Sequence, residues 1–190
     1  MPKVDTSDFR NGLTIRMNGE IYTILEFLHV KPGKGGAFVR TKLKGITTGK
    51  VLDKTFRAGE NVEAVRVERR PYQYLYNDGD IYHFMHNDTF EQITIGKKQI
   101  NRAEFLKESE TVTVVVDADK EEILFVEPPD HVVLEVTSTE PGLRGDTAQG
   151  GNKPATLESG ASIQVPLFIN QGDRVKVDTR TSKYIERVKS

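Results

Sequence analysis

The stretch Val30-Lys31-Pro32-Gly33-Lys34-Gly35-Gly36-Ala37-Phe38-Val39 sets one lysine among glycines, between two runs that both suit β-strands. Before it, Ile21 to Val30 is largely apolar and aromatic. After it, Val39, Thr41 and Leu43 alternate with Arg40, Lys42 and Lys44. Alternation with period two marks a half-buried strand, and the Pro/Gly cluster between the runs marks a hairpin loop. Glycine accepts positive φ at little cost, and three glycines around one lysine leave its ammonium without close side-chain neighbours. A long flexible stem on a slim cationic tip suits a narrow anionic cavity. A solvated lysine in an ordinary turn is the plainer alternative.

Outward from this hairpin the chain reads as strands nearly everywhere. Ile15-Arg16-Met17, Asn18-Gly19 and Glu20-Ile21-Tyr22 form a hairpin on an Asn-Gly turn, and Tyr72 to Met85 repeats the pattern around Asn77-Asp78-Gly79-Asp80. Further strands are expected at 51–57, 65–68, 111–116, 123–126, 132–136, 163–168, 174–178 and 184–188. Asn101 to Lys107 is the one persuasive helix. Many short strands with regular turn signals mean barrels or sandwiches, not βαβ units. Punctuation at Ala58-Gly59-Glu60-Asn61 and at Pro128-Pro129 divides the chain into three modules: 1–64, 65–127 and 128–190. Modules of that size are marginal alone, so at least two are expected to share an apolar interface.

Composition narrows the field. There is no cysteine, hence no disulfide, thiolate metal site or thiol nucleophile. The polar N-terminus lacks the apolar core of an export signal, and no apolar run approaches the roughly 20 residues that span a bilayer. A soluble cytoplasmic protein with no membrane partner is expected. The net charge of −1 conceals a gradient: residues 1–63 hold 11 Lys/Arg against 7 Asp/Glu, residues 64–127 hold 8 against 13, and residues 128–190 balance. A general RNA-coating protein is usually basic throughout. Here the positive charge gathers around Lys34, which suits a body entering a nucleic-acid environment basic end first.

Catalytic patterns are missing. Gly33-Lys34-Gly35-Gly36 and Gly45 to Lys50 fit neither the P-loop nor the dinucleotide spacing, and no nucleophile elbow occurs. His83 and His86, three apart on a strand, point to opposite faces and make a poor metal pair. Asp78 and Asp80 belong to a turn, where Asp serves backbone hydrogen bonding. No enzyme activity, metal or cofactor is expected. The segment from Pro141 to Ala155, with four glycines and two prolines, reads as a long functional loop, in which Arg144, Thr147, Asn152 and Lys153 could meet phosphate or ribose oxygens. Tyr72, Tyr74 and Tyr76 align on one face by period two and read as packing residues. The residues alone leave two classes open: a ribosome-binding translation factor, or a general single-stranded RNA-binding OB-fold protein.

Four segments in order resemble the bacterial elongation factor P family from end to end. They are Lys31-Pro32-Gly33-Lys34-Gly35-Gly36-Ala37-Phe38, Tyr74-Leu75-Tyr76-Asn77-Asp78-Gly79, Pro141-Gly142-Leu143-Arg144-Gly145-Asp146-Thr147, and Lys153-Pro154-Ala155-Thr156-Leu157 running on to Val165-Pro166-Leu167-Phe168-Ile169. The resemblance implies an all-β protein of three barrels, a KOW/SH3-like N-terminal one and two OB-folds, in an L that imitates tRNA. It implies a monomer that binds the 70S ribosome, contacting ribosomal RNA and the P-site peptidyl-tRNA, and relieves stalling at consecutive prolines. Lys34 would point at the acceptor end of that tRNA, supported by Pro32, Gly33, Gly35 and Gly36. Gly145, Asp146 and Thr147 would reach the small subunit and the E-site codon. In many relatives the tip lysine is extended by a modifying enzyme. Having Lys34 excludes the arginine branch, and Gly36 stands where some unmodified relatives carry proline.

Overall fold

A computed structural model describes residues 2–142 and 151–189. The first sheet contains β1 (Lys3–Asp5), β2 (Thr14–Met17), β3 (Glu20–Val30), β4 (Phe38–Gly45), β5 (Val51–Arg57) and β6 (Asn61–Ala64), in the order β1-β6-β2-β3-β4-β5. The second contains β7 (Val67–Asp78), β8 (Ile81–His86), β9 (Gln92–Gly96), β10 (Thr111–Asp117) and β11 (Glu122–Glu127), ordered β11-β10-β7-β8-β9. The third contains β12 (His131–Thr139), β13 (Asn152–Leu157), β14 (Ser162–Pro166), β15 (Arg174–Asp178) and β16 (Lys183–Val188), ordered β14-β13-β12-β15-β16. The all-β class expected from the turn signals is therefore what the chain adopts. Among the described residues no helix is long and apolar enough to cross a membrane.

Each sheet buries one face. Ile15, Tyr22, Ile24, Val39, Leu43 and Phe56 surround Phe9 in the first, where Phe9 meets Phe56 edge-on at 5.3 Å. Tyr74, Tyr82, Phe84, Ile95, Val112, Val114 and Phe125 are buried in the second. Val132, Leu134, Val136, Leu157, Val165, Val175 and Val177 form the third core together with Phe105. By contact the chain divides into two compact units. One holds Met1–Arg69 and Val115–Leu124; the other holds Arg70–Val114 and Phe125–Ser190.

Four sequence expectations need correction. Asn101 to Lys107 is not a helix: Arg102 takes a left-handed conformation, and only a 3-10 turn, Ala103–Phe105, follows. That turn delivers Phe105 to the third core, an apolar link within the second unit. The three tyrosines do not share a face. A β-bulge between Tyr74 and Tyr76 breaks the period, so Tyr72 and Tyr74 are buried while Tyr76 is 50% exposed and stacks on His83 at 4.3 Å. The expected loop ends earlier, because Asn152–Leu157 is a strand with Lys153, Ala155 and Leu157 facing inward. Lys153 is consequently no phosphate ligand: it is 5% exposed, and its ammonium donates to the Glu140 carbonyl at 2.6 Å.

Within the first unit the β10–β11 turn is held by ions rather than by apolar packing alone. Arg16 on β2 donates to the Asp117 carboxylate at 2.5 Å, with Asp117 only 2% exposed, and to Glu63 at 3.2 Å. The Asp117 carboxylate also accepts the backbone N–H groups of Asp119 and Lys120. A buried pair adds little net stability, but removing one partner strands an uncompensated charge, at about 3–5 kcal/mol. Arg16→Met should therefore lower the unfolding free energy by about 3 kcal/mol, and Arg16→Met with Asp117→Leu should recover much of it. Denaturant unfolding of both variants checks this; equal stability of wild type and Arg16→Met would show the pair to be idle.

The Tyr74 phenol donates to Asn77 at 2.9 Å. Burial first, then the nearby Tyr82 and Glu108, push its pKa up to about 12. Because the folded value lies above the unfolded one, the stabilisation is complete below about pH 10 and is lost as pH rises towards 12. The alkaline unfolding curve should consequently be steeper for wild type than for Tyr74→Phe between those limits. Identical curves would mean that the phenol titrates freely.

Candidate functional site

The hairpin tip is built by the longest ladder of the first sheet. Val30 pairs with Phe38, His29 with Val39, Leu28 with Arg40 and Phe27 with Thr41, and a bulge lies between Ile24 and Glu26. Pairing stops at Val30 and Phe38, which leaves residues 31–37 as the loop. Below it the strand is fixed from inside. Val39 and Leu43 are fully buried, and the Thr41 hydroxyl donates to the Lys54 carbonyl at 2.8 Å. On the other side Ala58 donates its N–H to the Ala37 carbonyl at 3.0 Å. A rigid base therefore carries a loop with no hydrogen-bonded anchor above Ala37 among the described residues.

Lys31, Pro32, Gly33, Lys34, Gly35 and Gly36 are all exposed. The structure thus brings together the tip lysine and the four supporting residues expected from the sequence. Gly35 has φ of +118°, a region closed to ordinary side chains, whereas Gly33 and Gly36 have open space and unexceptional φ. Lys34 makes no ion pair or hydrogen bond among the described residues, and the same holds for Lys31. Among the described residues its ammonium is a free charge on a free stem. Gly145, Asp146 and Thr147, the other expected site, lie outside the described residues, as does Arg144.

The flank of the tip follows the alternation read along β4 from the sequence. Arg40, Lys42 and Lys44 all project from the outer face of β4 because the inner positions are taken by Val39, Thr41 and Leu43. Lys42 is neutralised in part by Glu26 at 3.7 Å, while among the described residues the guanidinium groups of Arg40 and Arg57 form no ion pair, although the Arg57 backbone N–H donates to the Glu60 carboxylate at 2.9 Å. Arg40 lies 5.5 Å from the centre of the Phe38 ring, and Phe38 pairs with Arg57 across the sheet. The tip-proximal end of this face carries Arg40 and Arg57, whereas the end nearer Asp53 is mixed. Among the described residues no cluster of three or more His, Asp or Glu could hold a metal, and His83 and His86 instead meet Tyr76 and Tyr72.

Comparison with known proteins gives three successive domain matches: the elongation factor P KOW-like domain over residues 5–62, the elongation factor P OB domain over 67–125, and the elongation factor P C-terminal domain over 132–187. The chain is 58% identical to elongation factor P of Azobacteroides pseudotrichonymphae over 97% of its length and 98% of that protein's. It is equally identical, with the same coverage, to elongation factor P 1 of Porphyromonas gingivalis. Identity to elongation factor P of Acetivibrio thermocellus is 53%, over 97% of this chain and all of the relative.

Gly35→Ala should raise the energy of the native loop by roughly 1 kcal/mol, because an L side chain must enter the left-handed region. Gly33→Ala and Gly36→Ala, which meet nothing, should leave the melting temperature within a degree or so. Thermal unfolding of the three variants separates conformational demand from mere flexibility. Equal melting temperatures would show that the loop relaxes around any residue at position 35.

Proposed function

Since this chain belongs to the elongation factor P family, and is thereby a translation elongation factor, we propose that it binds the ribosome beside the P-site tRNA and promotes peptide-bond formation at consecutive prolines. The observation that carries this reading is Lys34: an unpaired ammonium on an unanchored tip, above a rigid base whose nearest face is cationic. Such a probe has no internal task. RNA phosphates and hydroxyls offer it the partners that the protein withholds.

The role is positional. Proline has a locked φ and a secondary amine, so it is a constrained donor and acceptor in peptide transfer. Holding the end of the peptidyl-tRNA in a reactive geometry lowers the entropic part of the barrier, each ~1.4 kcal/mol being tenfold in rate. The factor supplies no bond-breaking group of its own and takes no cofactor; the ribosomal RNA performs the chemistry. Three modules, residues 1–64, 65–127 and 128–190, act as a monomer in the cytoplasm. Lys34 inserts towards the tRNA end, Pro32, Gly33, Gly35 and Gly36 shape its loop, and Gly145, Asp146 and Thr147 contact the small subunit near the E-site codon. An enzyme that extends Lys34 would lengthen the reach of the same probe.

Lys34→Ala should leave folding and most ribosome binding intact, since an exposed residue without partners contributes within about ±0.5 kcal/mol. It should abolish rescue of a reporter with three consecutive prolines, relative to one without them, in translation reactions depleted of the factor. Lys34→Arg should also fail, because the guanidinium fork has a different shape and cannot accept a lysine-specific extension. Full rescue by Lys34→Ala would refute the role given to the tip. Binding to short single-stranded RNA as tight as to 70S ribosomes at physiological salt would point instead to general RNA binding.

A further inference from the structure

The turn between β8 and β9, residues 87–91, displays an aromatic ring that the fold does not use. Phe90 has φ of +61° and is 68% exposed. Non-glycine residues with positive φ among the described ones are Asn18, Phe90, Arg102, Ser109, Glu121 and Ser182, so Phe90 is the one aromatic in that group. Glycine or asparagine takes this conformation with less strain, and a bulky residue held there is an outlier. Burial does not offset the strain, because most of the ring faces solvent. Strain maintained at an exposed position points to a task outside the fold.

The turn is nevertheless held firmly. His86 donates its N–H to the Glu91 carbonyl at 2.8 Å, and Phe90 donates to the His86 carbonyl at 3.0 Å. The His86 imidazole accepts, at Nδ1, the backbone N–H groups of Asp88 at 3.1 Å and Thr89 at 3.2 Å. Its ring packs edge-on against Tyr72. On the outer flank Asn87 donates its N–H to the Pro71 carbonyl and its side-chain amide to the Thr111 hydroxyl. Phe90 is presented by a preorganised loop, so little ordering cost remains to be met on docking.

Charge identifies what it fits. Asp88 and Glu91 stand in the same turn, two residues before Phe90 and one after it, both exposed and neither in an ion pair among the described residues. They belong to the segment with 8 Lys/Arg against 13 Asp/Glu, residues 64–127. Two carboxylates in the turn that presents the ring, without ion pairs among the described residues, repel a phosphate backbone and complement lysine and arginine side chains. We propose that the Phe90 turn is a docking point for protein: the ring enters an apolar pocket on a basic ribosomal protein, with Asp88 and Glu91 meeting the cationic rim. The inference rests on the ribosome-binding role proposed above and gives this second face a partner of a different class from the RNA met by Lys34.

Three measurements on the full chain test it. Phe90→Gly should melt at or above the wild-type temperature, because glycine relieves the strain, yet bind purified 70S ribosomes about tenfold more weakly, the effect expected of a buried aromatic anchor. Asp88→Asn with Glu91→Gln should weaken binding and reduce its salt dependence. A photoreactive benzoylphenylalanine at position 90, irradiated on the 70S particle, should crosslink to protein. Undiminished binding by Phe90→Gly, a crosslink confined to ribosomal RNA, or a lowered melting temperature in Phe90→Gly would each overturn the docking proposal while wild-type ribosome binding stands. Failure of the wild type itself to bind 70S particles would instead remove the ribosome-binding role, and this surface with it.

Discussion

Along the β3–β4 ladder a side chain on a pleated strand has only two directions open to it, and the first core claims one of them. Val39, Thr41 and Leu43 go inward; Arg40, Lys42 and Lys44 are therefore forced out. A one-residue slip would exchange the two sets and bury three cations, so the register is strongly specified. That register also fixes where pairing ends, at Val30 and Phe38, and hence which residues are released into the loop. The position of Lys34, its rigid base and its cationic flank are three consequences of one hydrogen-bonded alignment.

Charges in this molecule divide by task. Arg16, Asp117, Glu63 and Lys120 interlock around the β10–β11 turn, where Asp117 is deeply buried. A carboxylate in that setting is tolerable only with a full set of donors, and it receives them from one guanidinium and two backbone amides. Among the described residues the side chains of Lys34, Arg40 and Arg57 form no ion pair. They remain solvated while the protein is free, and so retain their capacity to bind an anion. Pairing them internally would have added little stability at an exposed site and would have competed with that capacity.

How far the sequence discloses all this depends on which residues carry each signal. The tip was legible because Pro32, Gly33, Gly35 and Gly36 announce a loop and the β4 alternation announces its strand. Strand β13 was hidden by Pro154, which suggests a break, and by Lys153, which occupies an inward position with its ammonium donating to the Glu140 carbonyl. The outward turn of Tyr76 was invisible to period counting because one bulge inverts the parity of everything beyond it. Asp117 carries no local signal of its role; its partner Arg16 lies about a hundred positions earlier, and only the tertiary fold brings them together. Local propensity identifies elements, whereas tertiary pairing decides which polar residues become structural.

Two ways of presenting a side chain coexist here, and they suit different surfaces. Lys34 stands on a loop that glycine keeps permissive, so its ammonium can search, at an entropic cost met on binding. Phe90 stands on a turn that six hydrogen bonds and an aromatic contact hold in one strained shape, so its ring is committed in advance. A searching cation matches an irregular field of phosphates, in which several nearby positions are favourable. A fixed ring matches a single pocket of defined shape, where misplacement would forfeit the contact. Under the roles proposed for the two tips, the difference in their backbone chemistry would match the difference between an electrostatic target and a steric one.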